Sequence, residues 1–277
     1  MLNSDFPLDS KSIHKLSSKG LSLKTLKDQI DDELDLTLEL WHSQGLEIIK
    51  HQGSFYFATK FISLKEAEFC IVDIETNGSK IDKHQIIEIA AVKIKNNKII
   101  DTYESLVHCK EINKHISDIT GITTKDTKNA PNLKQVMYKF KHFIGDAIFV
   151  AHDVKFDYNF ISQSLQKVGL APLLNRNLCS LFLAERTIES YRYALSYLNK
   201  LLNLYPDAIH HRAMSDVMTT YELFKQSLSN LDDSYNSVED VIKFSKEAKR
   251  LKRPKFDPFL EKQVKEKVLL RESSSTC

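Results

Sequence analysis

The 277-residue chain predicts an α/β fold, a mixed sheet flanked by helices. Two observations carry that reading. A β-branched apolar run, EFCIVDIE, is followed by two more strand-length runs, IIEIAAVKIK and KIIDTYESLV, joined by Asn96-Asn97, a pair suited to a tight hairpin turn. Beyond them the apolar spacing becomes helical in LKQVMYKFKHFIG, strand-like in AIFVAH, and helical again in FDYNFISQSLQKVG up to Gly169. Alternating periods of this kind place helices on a sheet.

Taken in order, residues 1–66 form a separate unit. SLKTLKDQI and DLTLELWHSQGL read as short helices, and LEIIKHQGSFYFAT as two strands about Gln52-Gly53, so a small helical or winged-helix-like module is expected. Residues 67–230 hold the main domain, which continues through a short strand near NLCSLFL and closes with helices in ALSYLNKLLNL and RAMSDVMTTYELFKQSL. Residues 231–277 are rich in charge, with KEAKRLKRPK followed by EKQVKEKVLLRESSSTC, and predict a charged tail or a partner-binding helix.

Composition narrows the class. Hydrophobic residues at 42% and charged residues at 27% describe a soluble globular protein, and a net charge of +2 means that any basic surface must be local. Cys70, Cys109, Cys179 and Cys277 form no CxxC pair, which argues against a zinc site or a disulfide framework and for a reducing cytoplasm. The N-terminal stretch lacks an apolar signal core, and apolar runs such as IIEIAAV are short and interrupted by charge, so no membrane segment is expected.

The chemistry is expected where acids interrupt apolar patterns. Asp73 and Glu75 lie one residue apart in a strand and therefore share one of its faces. Buried carboxylates are costly unless paired, hydrogen-bonded or bound to a cation. Asp157 stands near the start of the helix after a buried strand, and His211 stands five residues before Asp216. Singly, Asp157 reads equally well as a first-turn helix charge, Asp216 as a solvated helix residue and His211 as an ordinary histidine. In this order the set is harder to dismiss.

At these residues the chain resembles the DEDDh 3′–5′ exonucleases, whose fold is ribonuclease H-like. VDIETNG matches the first motif, AHDVKFDYNF the second and HRAMSD the third, and IIEIAAVKIKNNKIIDTYESLV, ITGIT and LCSLFLAERT resemble the branch containing the proofreading epsilon subunit of bacterial DNA polymerase III. The likeness runs from about Glu68 to Leu228. It implies a site for two divalent cations, Mg2+ or Mn2+, with Asp73 shared between them, Glu75 and Asp216 on the nucleophile side, Asp157 on the second ion, and His211 as general base. A histidine suits that task because its ordinary pKa lies near neutrality.

Thr76, Asn77, Gly78, His152 and Phe156 are implied at the substrate's 3′ end. Gly78 reads as a turn residue or as a place of close backbone approach, and Phe156 as core or as a stacking platform. One departure is Asp153, where the family commonly has asparagine. The substrate implied is a single-stranded or frayed 3′ DNA end. RNA trimming uses the same residues, and a non-catalytic replisome or repair adaptor is the reading from another class. As a proofreader the chain would associate with a polymerase catalytic subunit, and QSLSNL from Gln226 loosely resembles peptides that bind sliding clamps.

Overall fold

The protein is described by a computed structural model that covers residues 7–30 and 33–260. The N-terminal unit opens with α1 (Ser10–Leu16), α2 (Leu23–Lys27) and α3 (Leu34–Ser43), followed by the hairpin β1 (Ile48–His51) and β2 (Ser54–Phe57). The hairpin turns at Gln52 and Gly53, both at positive φ as a two-residue turn of this hand requires. Leu21 bridges to Phe55 beside it. Leu16, Leu21, Leu26, Trp41, Leu46 and Phe57 form this unit's own core. Helices before a hairpin were predicted; α1 was not, and its start is set by Asp9, whose carboxylate accepts from the Ser12 amide at 2.7 Å.

The main domain begins with β3 (Glu68–Thr76), β4 (Ile86–Lys95) and β5 (Lys98–Leu106), an antiparallel meander whose second turn is made by Asn96 and Asn97 at positive φ. After α4 (Lys114–Thr120), α5 (Thr124–Thr127) and α6 (Leu133–Ile144), strand β6 (Ile148–Ala151) returns parallel to β3. Helix α7 (Val154–Lys167) crosses over to β7 (Asn177–Cys179), parallel to β6, and α8 (Ser180–Thr187), α9 (Leu195–Leu202), α10 (Ala213–Ser229) and α11 (Val238–Glu247) follow. The five-stranded sheet has the order β5-β4-β3-β6-β7.

Strand alternation divides the core in two. Cys70, Val72 and Ile74 of β3 face α6 and α7 through Phe140, Ile144, Phe160 and Ile161. Phe69 and Ile71 face the other way, against Val217, Tyr221 and Phe224 of α10 and Val241 of α11. Asp73 and Glu75 continue that second row, on the side where α10 lies.

The N-terminal unit seats against residues 172–176, where the chain enters β7. The Gln44 carbonyl accepts from the Leu174 amide at 3.1 Å and from Lys141 Nζ at 3.1 Å. It therefore occupies the end of the sheet where β6 and β7 begin, opposite the end where they finish.

The boundary expected at 231 is not marked by a loss of packing. Val238, Val241 and Ile242 of α11 are buried in the main core, so this stretch begins as a docked helix and not as a tail. Its apolar stripe was hidden in the sequence by the surrounding charge, although Ser237 and Asp240 form a capping box at its start. EKQVKEKVLLRESSSTC, residues 261–277, lies outside the described residues. In QSLSNL, Leu228 and Leu231 are partly buried and pack against the core. Among the described residues no helix is long and apolar enough to cross a membrane.

Candidate active site

The candidate site forms where β3 and β6 end. Asp73 and Glu75 project from β3, and a β-bulge between Glu75 and Thr76 breaks the ladder just beyond them. Asp157 lies in the first turn of α7 and is 5% exposed. Asp216 lies in the first turn of α10, and His211 in the loop leading into it. Ligand atoms of Glu75, His211 and Asp216 lie within 4.8 Å of one another.

His211 takes a left-handed backbone at φ 64°, a costly conformation for a residue with a side chain and one that recurs at functional sites. Its amide donates to Asp216 Oδ2 at 3.0 Å, while His210 Nδ1 lies 3.3 Å from Asp216 Oδ1. Asp216 thereby ties the histidine loop to α10, leaving the His211 side chain exposed beside the acids.

The electrostatics show carboxylates crowded without enough counter-charge. Burial pushes the Asp73 carboxyl well above the usual range, and the charges of Asp157, Asp216, Glu75 and Glu88 push it further. Asp157 is raised chiefly by burial, partly offset by its own amide and that of Ile74, with Asp153 and Glu75 adding to the rise. Glu75 is raised to about 7 by burial and by Asp216 and Glu88, against the opposing pull of Arg212. An oxygen-rich set with one imidazole, destabilised by its own negative charge, fits hard divalent cations.

Two residues that the motif reading passed over hold this arrangement. Glu88 of β4 sits directly across from Glu75 and is 1% exposed. Like charges in such a pair repel. Arg212 Nη2 donates to Glu88 Oε1 at 2.8 Å, and the Ala213 amide to Glu88 Oε2 at 2.9 Å, so Glu88 anchors the start of α10 and the histidine loop before it. The signal was present in IIEIAAV, where an acid interrupts an apolar strand as Asp73 does.

The other predicted residues surround this centre with differing surroundings. His152 bonds Ser180 Oγ at 3.0 Å and the Tyr193 carbonyl at 2.8 Å, and burial lowers its pKa. Phe156 is 38% exposed, leaning on Phe160, and so is not core. Thr76 Oγ1 donates to the Gly78 carbonyl at 3.0 Å. Asn77 is occupied in closing its own loop: its Oδ1 accepts from the Gln85 amide at 2.8 Å. At Gly78 a Cβ would meet the His84 ring at 2.6 Å, so the missing side chain makes room for His84. Asp153 stands at the N-cap position of α7 at φ 68° with no capping bond from its side chain, a left-handed position that asparagine and aspartate both tolerate.

The geometry can be set beside known proteins. A family model described as exonuclease, of the RNase T type, matches residues 70–224, more than half of the chain. The chain belongs to this exonuclease family. Among its relatives, the PolC-type DNA polymerase III of Caldanaerobacter subterraneus is 38% identical over 184 residues, which are 64% of this chain and 13% of that protein. The PolC-type enzyme of Staphylococcus haemolyticus is 36% identical over 173 residues, 61% of this chain and 12% of that protein. The chain therefore spans about an eighth of the length of these relatives. The likeness to polymerase III holds, through PolC-type proteins and not specifically through an epsilon subunit.

Solved structures share the ribonuclease H-like fold. Exonuclease I without ligand superposes with a TM-score of 0.54 at 16% identity, covering 65% of this chain and 44% of that one. Exonuclease I of E. coli in complex with a dT13 oligonucleotide gives 0.52 at 16% identity, covering 56% and 40%.

Proposed function

We propose that this exonuclease domain is a divalent-metal-dependent 3′–5′ exonuclease that shortens single-stranded or frayed DNA from the 3′ end and releases nucleoside 5′-monophosphates. The observation that carries the reading is the convergence of Asp73, Glu75, Asp157 and Asp216 with the exposed His211 at one end of the sheet. Asp73, Glu75, Asp157 and Asp216 would hold two ions, Mg2+ or Mn2+. Bound there, the ions would supply a nucleophile from water at neutral pH and stabilise charge on the attacked phosphate and the departing oxygen.

The chain's own residues do the rest. His211 takes the proton of the attacking water, a role for which its solvent-facing position beside Glu75 and Asp216 suits it. Glu88 and Arg212 fix the loop that carries it. His152, held on both ring nitrogens, walls the start of α7, and the exposed ring of Phe156 offers a face to a terminal base. Stacking and phosphate contacts suit an enzyme indifferent to sequence.

The PolC-type relatives support a role in proofreading beside a DNA polymerase catalytic subunit. The test is a side-by-side digestion of matched 5′-labelled DNA and RNA oligonucleotides, with Mg2+, with Mn2+ and with EDTA. Progressive shortening of the DNA from its 3′ end, abolished by EDTA and faster at a mismatched than at a paired terminus, is the expected result. A clear preference for RNA would reassign the substrate. No hydrolysis with either cation would leave a non-catalytic adaptor.

A further inference from the structure

The segment after α11 lies beyond the family match, which ends at residue 224. It is pinned to the main domain as an extended strap. The Leu251 amide donates to the Glu185 carbonyl at 2.9 Å, and Arg186 Nε to the Ala248 carbonyl at 2.7 Å. Arg250 Nε and Arg253 Nη2 reach the buried Glu185 carboxylate at 2.9 and 3.4 Å. Farther on, Tyr197 of α9 donates to Asp257 Oδ1 at 2.8 Å and its ring meets Phe259 edge-on.

These anchors lay the strap beside the candidate site. The Arg253 guanidinium lies over the Tyr193 ring at 5.2 Å from its centroid, and the Tyr193 carbonyl is the partner of His152. From Lys249 to Lys255 every residue but Leu251 and Pro254 is cationic, none is acidic, and all five cations are exposed. Glu185 engages two of them, which leaves Lys249, Lys252 and Lys255 without an ion-pair partner among the described residues. Phe256, next in line, is 68% exposed.

A charge run that only kept the protein soluble would need no buried anchors. Here Glu185 and the Tyr197–Asp257 bond hold the segment in place while the lysines and Phe256 are exposed, and Tyr193 links Arg253 to His152 of the candidate site. We propose that the strap continues the substrate-binding surface proposed at His152 and Phe156, its lysines taking the sugar–phosphate backbone of single-stranded DNA upstream of the 3′ end and Phe256 stacking with a base. The proposal rests on the exonuclease reading and names where the substrate strand runs.

The test replaces Lys249, Lys252, Lys255 and Phe256 together by alanine in the full chain. With a long single strand (about 20 nucleotides) the expected change is a KM raised about tenfold with kcat unchanged, and with a strand too short to leave the acids no change. Binding of fluorescent long dT in EDTA, where nothing is hydrolysed, should show a salt dependence less steep by about 0.7 for each phosphate that the variant no longer neutralises. Equal effects on long and short strands, or an unaltered salt slope, would overturn the strap assignment while leaving hydrolysis intact. If the unmodified protein binds long dT with a strap-dependent slope yet hydrolyses nothing with either cation, the exonuclease reading falls and the strap stands.

Discussion

Buried charge is treated in opposite ways at the two ends of the sheet. Where β7 begins, Arg176 and Glu239, 6% and 2% exposed, form a two-pronged pair with both contacts at 2.7 Å. Thr59 Oγ1 adds a third bond to Glu239, and the guanidinium lies over the Phe57 ring. Every prong is satisfied, and the pair joins the N-terminal unit, β7 and α11. Where β3 and β6 end, Asp73, Glu75, Asp157 and Asp216 crowd together, and Arg212, whose charge acts on Glu75, is bound to Glu88 instead. Carboxylates that serve the fold are neutralised by the fold. Those left in mutual repulsion are kept for a charge the chain does not supply.

The comparison breaks most directly at Asp73. Asp73→Ala removes the ligand proposed to be shared between ions, and losing several kcal/mol of transition-state stabilisation lowers kcat about a thousandfold or more. His211→Ala, which removes a base and no shared ligand, should cost about a hundredfold. Single-turnover digestion of single-stranded DNA at saturating enzyme measures both. A near-normal rate for either variant at neutral pH removes that residue from its role.

At the other end the cost should appear in stability. Arg176→Met strands a buried carboxylate and should destabilise by about 3–5 kcal/mol. The melting temperature then falls by roughly 10 °C, with the rise on adding Mn2+ unaltered. The double variant Arg176→Met, Glu239→Met should regain most of the loss. If it instead behaves like the single variant, the pair is not the self-contained unit described.

Glu88 belongs to both patterns, being a buried acid that is paired and also borders the unpaired ones. Glu88→Gln keeps its shape and weakens the hold on Arg212 and the Ala213 amide, contacts worth on the order of 1.5–3 kcal/mol. We expect kcat to fall about tenfold through a loosened His211 loop, with KM unchanged. A matching rise in KM would show that Glu88 shapes substrate binding instead.

What was legible in the sequence follows the same division. β3, β4 and β5 were plain because apolar runs and the Asn96-Asn97 turn are local signals, and α6, α7 and α10 because their apolar spacing is regular. Asp73, Glu75, Asp157 and Asp216 stood out as acids in motifs of fixed order. A helix was one of two expectations beyond residue 231, but the docking of α11 on the core was missed because its three-residue apolar stripe is embedded in charge and becomes visible only when the sheet covers it. Glu88 was overlooked because its partners, Arg212 and the Ala213 amide, lie more than a hundred residues away in sequence. A pairing at that distance leaves no local trace.

The crowded end should also be visible in pH. The Glu75 carboxyl stands at about 7 in the folded chain against an ordinary value of 4.5, so the folded state favours its protonated form. That contribution is fully present below the ordinary value and is lost as pH rises through about 7. Asp73 and Asp157, raised for the same reasons, act in the same direction. In EDTA the melting temperature should therefore decline by a few degrees between about pH 6 and pH 8, and Mn2+ should restore more at the upper value than at the lower. A melting temperature that climbs across this window, or a cation effect equal at both ends, would contradict the picture of unrelieved repulsion.

The smallest expected effect is at Asp153, a surplus anion at the edge of the crowded end. Its left-handed backbone at φ 68° suits asparagine as well as aspartate, so Asp153→Asn changes charge without straining the turn. The residue is exposed, and one exposed charge is worth about 0.2–1 kcal/mol, screened by salt. On the proposed path over Phe156 and His152, a phosphate backbone would meet that charge directly. KM for single-stranded DNA should fall about two- to threefold at low ionic strength with kcat unchanged, and the difference should vanish at high salt. A gain that persists at high salt would point to a changed conformation of the α7 start. A rise in KM would mean that the aspartate assists cation binding more than it repels the strand.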